Sequence, residues 1–365
     1  MKRTCLVTGG SGLVGGRLIE MLRQDGWQVR AIGRSSEALQ RVESLGAVPV
    51  HADLEDETAL RAALQDCTTV FHAAALFKMW GSEDEFNRAN VEGTRRLLTV
   101  ARSMGVRGFV QIGAAAVVMG EPVPMLGITE DAPLQIRSWA PYSSSKAKSE
   151  LLVREANVPG SFHTAVIRPP FIWGQGMPTL DQMIRSIERK QFRWPGDGEQ
   201  AMSTCHVDNV CRAAILAAER GTGGASYFVS DGADGTLRTV MTALLATRNI
   251  VPPKASVPFG LAWWMARCME ALWRVLRIGG EPPMTRQMLR MVGMPFTLNI
   301  ARARTELGYQ PIVTWQSGIA AMGRARFPPP PGSPAGCLGA GAGRRDGLSP
   351  ADVRPSSLHR LKGRS

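Results

Sequence analysis

Short apolar runs alternate with longer segments of helical periodicity over the first 170 residues. In one of these segments the apolar side chains of Val91, Leu97, Leu98 and Ala101 recur on a single helical face. Strand, helix and strand in succession is the pattern of a parallel sheet covered by helices on both faces. The predicted strands have the sequences TCLVT, WQVRAI, AVPVH, TTVFHAA, RGFVQI and HTAVIR.

The alternation becomes less regular after residue 172, which predicts a change of architecture there. We therefore predict a first domain over 1–172, to which 203–230 returns through the helical stretch STCHVDNVCRAAILAAER. The segments 173–202 and 231–326 form a smaller second region in this interpretation.

One segment of the second region, 259–277, has the spacing of an amphipathic helix. Its apolar and charged side chains separate onto two sides, with Trp263 projecting among the arginines. Such a helix packs on the core or rests on a membrane surface, and both alternatives stay open here. The apolar side holds Leu261, Met265, Cys268, Leu272 and Leu276, and the charged side holds Arg267, Glu270, Arg274 and Arg277.

The composition is that of a soluble globular chain ending in a different kind of segment. Of 365 residues, 44% are hydrophobic and 20% are charged. Residues 327–365 are rich in Pro, Gly, Ala, Arg and Ser without periodicity, so we expect a disordered tail. The net charge is +12, but +4 of it lies in 328–365 and the rest is scattered, which argues against a nucleic-acid partner.

The cysteines and the apolar runs indicate the compartment. The six cysteines form no Cys-x-x-Cys pair, which is typical of free thiols in a reducing environment. His206 and Asp208 have no third ligand nearby, so we predict no metal site. No uncharged apolar run reaches the roughly 18 residues of a spanning helix, and the N-terminal run is too short for a signal peptide. We therefore expect a cytoplasmic location.

Three glycines directly follow the first predicted strand in the stretch LVTGGSGLVGG. Gly9, Gly12 and Gly15 recur every third residue at the start of a helix. This spacing lets the chain turn tightly, direct backbone N–H groups at a pyrophosphate and pack the helix close to the strand. The stretch therefore predicts a dinucleotide site.

The end of the second strand indicates which dinucleotide is bound. Gly33 stands where an acidic residue would bind a ribose 2′-hydroxyl, and Arg34 follows it. An arginine at this point can pair with a 2′-phosphate, which favours NADP(H). A solvated arginine is the alternative and leaves NAD(H) open. Asp53 can accept from the adenine amino group, and the small residues Ala73, Ala74 and Ala75 let the backbone approach the cofactor.

The stretch APYSSSK places Tyr142 and Lys146 four residues apart, and therefore on one helix face. A nearby ammonium favours the phenolate, so we expect Lys146 to lower the pKa of Tyr142. Tyr142 would then act as acid or base near neutral pH, while Lys146 would also bind the nicotinamide ribose.

These motifs, with NVEGT and RPPFIWG, resemble the extended short-chain dehydrogenase/reductase family, the NAD-dependent epimerase/dehydratase superfamily. VRAIGR, RPPFIWGQG and LNIARARTELGYQP are most similar to its 3β-hydroxysteroid dehydrogenase-like branch. The resemblance implies a Rossmann-type doubly wound sheet with a smaller C-terminal substrate-binding region, and an NAD(P)-dependent oxidoreductase. Further cofactor contacts implied by the resemblance are Thr8, Leu13, Val14, Leu54, Pro169 and Ile172.

The chain departs from the family at one catalytic position. The family places a serine or threonine after the fifth strand to bind the substrate oxygen, and here that position is Ala115. Losing one such donor costs about two to three orders of magnitude in rate. Either water or another hydroxyl such as Ser143 replaces it, or activity is weak, or the protein is a non-catalytic NADP-binding sensor.

Aromatic residues of the second region predict an apolar substrate pocket. We expect a secondary alcohol or ketone on a hydrophobic, steroid-like molecule. A sugar-nucleotide epimerase or dehydratase with the same Tyr–Lys pair is the alternative, and a homodimer is compatible with the sequence. The aromatic residues are Trp173, Phe192, Trp194, Trp263, Trp264 and Trp273.

Overall fold

The computed structural model describes residues 3–324, so the predicted tail 327–365 lies outside the described residues. Its strands are β1 Thr4–Thr8, β2 Gln28–Gly33, β3 Val48–His51, β4 Thr69–His72, β5 Gly108–Ile112, β6 Met125–Ile128, β7 His163–Arg168, β8 Phe171–Trp173, β9 Trp194–Pro195, β10 Ala201–His206, β11 Ala225–Phe228, β12 Asp234–Thr236, β13 Ser256–Val257 and β14 Phe296–Leu298. Its α-helices are α1 Leu13–Gln24, α2 Ser36–Ser44, α3 Glu57–Ala63, α4 Glu83–Phe86, α5 Gly93–Ser103, α6 Pro141–Glu155, α7 Pro178–Glu188, α8 Val207–Arg220, α9 Leu237–Ala246, α10 Phe259–Val275, α11 Arg286–Val292, α12 Ala301–Leu307 and α13 Trp315–Arg324.

Seven parallel strands form the central sheet in the order β11-β7-β5-β4-β1-β2-β3. The six strands predicted from the sequence are all in it, and β11 adds an edge strand beside β7. The strand order reverses between β1 and β4, which is the point where ligands bind in open sheets of this kind. The predicted doubly wound Rossmann-type fold is confirmed.

Both faces of the sheet carry a hydrophobic core. Along β1, Cys5 and Val7 belong to one cluster and Leu6 to the other, because successive strand residues point to opposite faces. Helices α1 and α8 cover the first face, and α3, α5 and α6 cover the second.

The remaining residues form a smaller sheet with its own helices. The strands β12, β10, β14 and β6 pair in that order, and β8 joins β10. A third core cluster fills this part around the fully buried Trp173 and Trp194. The domain boundary at residue 172 stays a prediction, and it falls inside the strand β8.

Helix α10 confirms the helix predicted over 259–277. Its apolar side, however, does not face the core. The helix turns Ala262, Ala266 and Glu270 inward, and its apolar side around Leu272 is exposed. Trp263 does not project among the arginines, because it packs against Phe259. Within residues 3–324, no helix has both the length and the apolar character needed to cross a membrane.

Candidate active site

The glycine-rich turn between β1 and α1 lies against the end of β4. Gly9 has a φ of +70°, and a Cβ there would lie 2.7 Å from the amide nitrogen of Ala74. A Cβ at Gly15 would collide with the carbonyl oxygen of Gly9. The first turn of α1 begins after Gly12 without a side-chain cap, so its N–H groups are free to point at an anion.

A buried chain of hydrogen bonds starts at this turn. The Thr94 hydroxyl donates to the carbonyl oxygen of Asn90 at 2.7 Å, so toward His72 it can only accept. His72 therefore carries its proton on Nε2, 2.9 Å from Thr94 Oγ1, and its Nδ1 accepts from Thr8 Oγ1 at 2.7 Å. The Ala74 amide in turn donates to Thr8 Oγ1. These hydrogen bonds connect the end of β1, next to the glycine turn, to Thr94 on α5.

Burial keeps the imidazole of His72 neutral. Desolvation and the nearby charge of Lys146 lower the pKa of His72 to about 3. On the other side of Thr94, the Ser149 hydroxyl donates to Thr94 Oγ1 and accepts from Gln111 Nε2. The hydrogen-bond chain thus continues from β4 to the helix α6.

Asn90 joins the loop after β4 to the same helix. Its side-chain oxygen accepts from the Leu76 amide at 2.7 Å, and its Nδ2 donates to Leu76 O and to Ser145 Oγ. Ser145 donates in turn to the backbone oxygen of Tyr142 at 2.9 Å. Asn90 lies in a π-helical turn, Asn87–Glu92, and such turns are frequent at functional sites.

Tyr142 and Lys146 lie one turn apart on α6, and both are buried. Lys146 Nζ donates to the carbonyl oxygen of Ile112 at 2.8 Å, and burial lowers its pKa to about 8. Desolvation raises the pKa of the Tyr142 hydroxyl above its ordinary value. This direction is opposite to the expected one, because the shift comes from burial alone, while the Lys146 ammonium is bound to the Ile112 carbonyl oxygen.

The ring of Tyr142 sits among aromatic groups. Phe77 and Phe86 contact it edge-on, with ring centroids 5.1 and 6.4 Å away. Its backbone amide donates to Gln287 Oε1 at 3.3 Å, and the Gln287 amide group donates to Lys78 O at 3.1 Å. Gln287 on α11 therefore links the start of α6 to the loop after β4. Neither Phe77 nor Gln287 was predicted from the sequence, since neither belongs to a motif.

Ala115 begins a short 3₁₀-helix, Ala115–Val118, immediately beyond β5. Its amide donates to the carbonyl oxygen of Pro169 at 2.8 Å, which joins two predicted site residues. Both Ala115 and the neighbouring Ala116 are buried and supply no hydroxyl. Ser143, the suggested replacement, is buried beside Tyr142 in α6.

The other predicted cofactor residues also lie near the carboxyl ends of the strands. Arg34 follows β2, and its guanidinium is 3.6 Å from the carboxylate of Asp53, with Arg34 largely exposed. A Cβ at Gly93 would lie 3.0 Å from Leu54, so this small residue lets α5 approach the segment after β3. Leu13, Val14 and Ile172 are half-buried against the core of the sheet, and Ala73, Ala74 and Ala75 follow β4.

Two of the tryptophans predicted to line a pocket belong to the core instead. Trp173 donates to Asp231 at 2.6 Å, and Trp194 donates to the carbonyl oxygen of Pro253 at 2.8 Å. Both are fully buried, so their role is packing and hydrogen bonding within the second region. Trp264 is exposed, and Trp263 packs against Trp139, which lies shortly before Tyr142 in the chain.

His206 and Asp208 have structural partners. Asp208 receives two hydrogen bonds from Arg17, at 2.8 and 2.9 Å, and joins α1 to α8. His206 Nδ1 accepts from the Asp208 amide at the start of α8, and its ring contacts Trp173. In the part of the chain that the structure describes, no group of three potential metal ligands occurs.

Comparison with known proteins gives a family and several relatives. The sequence profile of the 3-beta hydroxysteroid dehydrogenase/isomerase family matches residues 6–234. The chain is 43% identical to the 4-hydroxy-2-methyl-3-oxo-4-farnesyl-3,4-dihydroquinoline-1-oxide ketoreductase of Stigmatella aurantiaca, over 87% of this chain and 95% of that protein. It is 32% identical to a 2-alkyl-3-oxoalkanoate reductase of Stenotrophomonas maltophilia, over 86% and 96%.

Solved structures share the fold. MoeE5 in complex with UDP-glucose and NAD superimposes with a TM-score of 0.67, covering 88% of this chain and 97% of that one. The two sequences are 24% identical, so this likeness concerns the fold alone.

Proposed function

The chain belongs to the 3-beta hydroxysteroid dehydrogenase/isomerase family of NAD(P)-dependent oxidoreductases, and on this premise we propose that it reduces an apolar ketone to a secondary alcohol. The observation that carries the proposal is the buried pair on α6. Tyr142 has its ring against Phe77 and Phe86, and Lys146 is anchored one turn away at the end of β5.

The glycine turn fits a dinucleotide. The positive φ of Gly9 and the lack of a Cβ at Gly9 and Gly15 let the turn pack tightly against Ala73, Ala74 and its own backbone, so the uncapped start of α1 can meet a pyrophosphate. In this proposal the first turn of α1 binds the pyrophosphate and Arg34 binds a 2′-phosphate. Asp53 lies beside Arg34 for the adenine end, and Lys146 binds the nicotinamide ribose. NADPH is therefore the preferred cofactor, with NADH as the weaker one.

The two relatives named as reductases support the reductive direction, and burial keeps the Tyr142 phenol protonated near pH 7 by raising its pKa. When bound, the reduced nicotinamide supplies a hydride to the carbonyl carbon. A phenol that stays neutral near pH 7 can donate its proton to the carbonyl oxygen of a ketone, whereas a base for alcohol oxidation would have to be ionised. The ammonium of Lys146 stabilises the phenolate that forms, until solvent returns a proton.

Because Ala115 has no hydroxyl, Tyr142 is the main hydrogen-bond donor to the substrate oxygen in this mechanism. A water molecule or Ser143 can supply a second hydrogen bond. Either donor is less well preorganised than the serine that the family places at this position. We therefore expect turnover that is slow for the family, rather than an absence of turnover.

The substrate in this proposal is an apolar ketone that carries an aliphatic chain. The 43% identical relative is named for reduction of a farnesylated quinoline ketone, and the second relative for reduction of an alkylated oxoalkanoate. The exposed ring of Phe77, edge-on to Tyr142, suits such a molecule. A sterol-type ring ketone belongs to the same chemical class and agrees with the family's description.

The absent hydroxyl at Ala115 supports one second candidate, a dinucleotide-binding sensor without turnover. The sugar-nucleotide alternative has weaker support, because the solved structure with UDP-glucose shares only the fold with this chain. The exposed ring of Phe77 beside Tyr142 also offers no polar partner to a sugar.

Deuterium transfer tests the proposal directly. The protein is incubated with NADPH that carries deuterium at the transferred position, together with a panel of alkyl, prenyl-quinoline and 3-oxosteroid ketones. We expect an alcohol with deuterium on the carbinol carbon. Tight NADPH binding without transfer to any ketone would favour the sensor, and epimerisation of UDP-glucose would favour the sugar-nucleotide alternative.

A further inference from the structure

Helix α11 carries a buried arginine, Arg290, whose charge meets no matching anion. The residue is 2% exposed. Its Nε donates to the carbonyl oxygen of Gly120 at 3.3 Å, and its Nη2 contacts the sulfur of Met125, a weak acceptor, at 3.1 Å. Among the described residues, nothing accepts a hydrogen bond from its buried Nη1. Because a guanidinium stays charged near neutral pH, the fold holds a cation away from water with incomplete compensation.

Arg168, the other arginine that is almost wholly buried in the described chain, is fully paired. Its Nε donates to both carboxylate oxygens of Glu150 at 3.0 Å, its Nη2 also donates to Glu150, and its Nη1 donates to the carbonyl oxygen of Glu130. For Arg290, burial lowers the pKa, and the charge of the exposed Glu121 opposes this shift only in part. The fold thus completes one buried guanidinium and leaves the other able to bind an anion.

The unpaired guanidinium lies beside two elements of the candidate active site. Gln287, three residues before Arg290 on the same face of α11, accepts from the Tyr142 amide at 3.3 Å. Gly120, to which Arg290 donates, comes two residues after the short helix Ala115–Val118. Arg290 is therefore near the position that lacks the family hydroxyl and near the start of the helix that carries Tyr142.

We propose that Arg290 binds a carboxylate of the ketone substrate. The planar fork of Nη1 and Nη2 matches the two oxygens of a carboxylate, which would replace the sulfur of Met125 as a partner. The substrate is then an oxo acid with an apolar body, and its carboxylate determines which carbonyl group meets Tyr142. This inference rests on the proposed ketone reduction and names the class of its substrate.

A binding measurement without turnover tests the carboxylate site. The full chain with NADPH is titrated calorimetrically with 2-butyloctanoate, a branched acid without a ketone, and with the primary amide of the same acid. We expect the wild type to bind the acid at least about thirtyfold more tightly than the amide, and Arg290→Met to bind both alike. Arg290→Lys should recover part of the preference, and Arg102→Met, at an exposed arginine of α5, should keep all of it.

The stability of the ligand-free protein gives a second readout. Arg290→Met should raise the urea midpoint, because it removes a buried charge without an anionic partner. Arg168→Met is the matched control and should lower the midpoint, since it leaves the buried carboxylate of Glu150 unpaired. A lower midpoint for Arg290→Met would overturn the proposal, because the charge would then already be matched within the free protein.

Steady-state kinetics connects the site to the reaction. Arg290→Met should raise the KM for a freshly prepared alkyl 3-oxo acid at least about thirtyfold with little change in kcat, and leave the KM for its methyl ester unchanged. The proposal is overturned if the wild type binds the acid and the amide equally, or binds neither. If no ketone is reduced but acid binding still depends on Arg290, the proposed reduction fails while the carboxylate site stands.

Discussion

Lys146 donates a hydrogen bond from Nζ to the carbonyl oxygen of Ile112 across 2.8 Å, at the carboxyl end of β5. This bond anchors the ammonium that lies one turn from Tyr142 on α6, and burial brings its pKa to about 8. The ammonium is thus held in place before any cofactor enters. It loses its proton near pH 8.

Lys146→Met should weaken NADPH binding and slow ketone reduction about a hundredfold. The methionine keeps the apolar stem but cannot bind the ribose or stabilise a phenolate. In the wild type, the affinity for NADPH should fall as the pH rises through about 8, since the ammonium form binds better. The measurement is a fluorescence titration of NADPH across pH, in which Lys146→Met should show no such decline.

His72 should make the protein sensitive to acid. The pKa of its imidazole is about 3 in the folded chain and 6.5 when the group is exposed to solvent, so the unfolded state binds the proton first as the pH falls. The free energy of unfolding should therefore drop by about 2–3 kcal/mol between pH 7 and about pH 4.5. Urea unfolding of wild type and His72→Gln at both pH values measures this difference.

The exposed His51 provides the control for this experiment. His51→Gln should keep the wild-type dependence on pH, whereas His72→Gln should lose most of it. Equal slopes in all three proteins would show that His72 does not titrate as its burial requires.

Much of the site could be predicted from sequence because local spacing determines it. The glycines of the turn and the Tyr–Lys pair lie within a few residues of one another, so their geometry follows from one turn or one helix. The direction of the Tyr142 pKa could not be predicted, because it depends on burial by residues distant in the chain. The contact of Gln287 with the Tyr142 amide spans 145 positions and leaves no local signal.

The orientation of α10 could not be predicted from the sequence either. Spacing separates Leu272 from Arg274, but it does not tell which side meets the protein. Small residues decide the packing, since Ala262 and Ala266 allow a close approach to the rest of the second region. The fold class was predictable because six strands of the central sheet are short, mostly apolar runs that alternate with segments of helical periodicity.

Ala115→Ser should raise the turnover number for an apolar ketone about tenfold with little change in KM. The new hydroxyl would bind the carbonyl oxygen more tightly in the transition state than in the ground state. Ala116→Ser is the matched control, because it puts the same group on the next buried position. Identical rates in both variants would mean that position 115 does not face the reacting oxygen.

Arg34→Ala should raise the KM for NADPH about tenfold or more and leave the KM for NADH nearly unchanged. In the proposed binding mode the guanidinium would pair with the 2′-phosphate that only NADPH carries. Steady-state kinetics with both cofactors measures the effect, and Arg102→Ala on α5 controls for the loss of an exposed arginine. A parallel rise for both cofactors would contradict the assignment of Arg34.

Reduction of an apolar ketone by Tyr142→Phe is the most direct test of the central claim, that the Tyr142 hydroxyl donates the proton. The ring remains to contact Phe77, so NADPH affinity should change less than about threefold, while the turnover number should fall by about 10²–10⁴. Tyr227→Phe, which removes a phenol hydroxyl bound to Glu306, should keep the wild-type rate. A Tyr142→Phe enzyme that reduces the ketone at the wild-type rate would contradict the account.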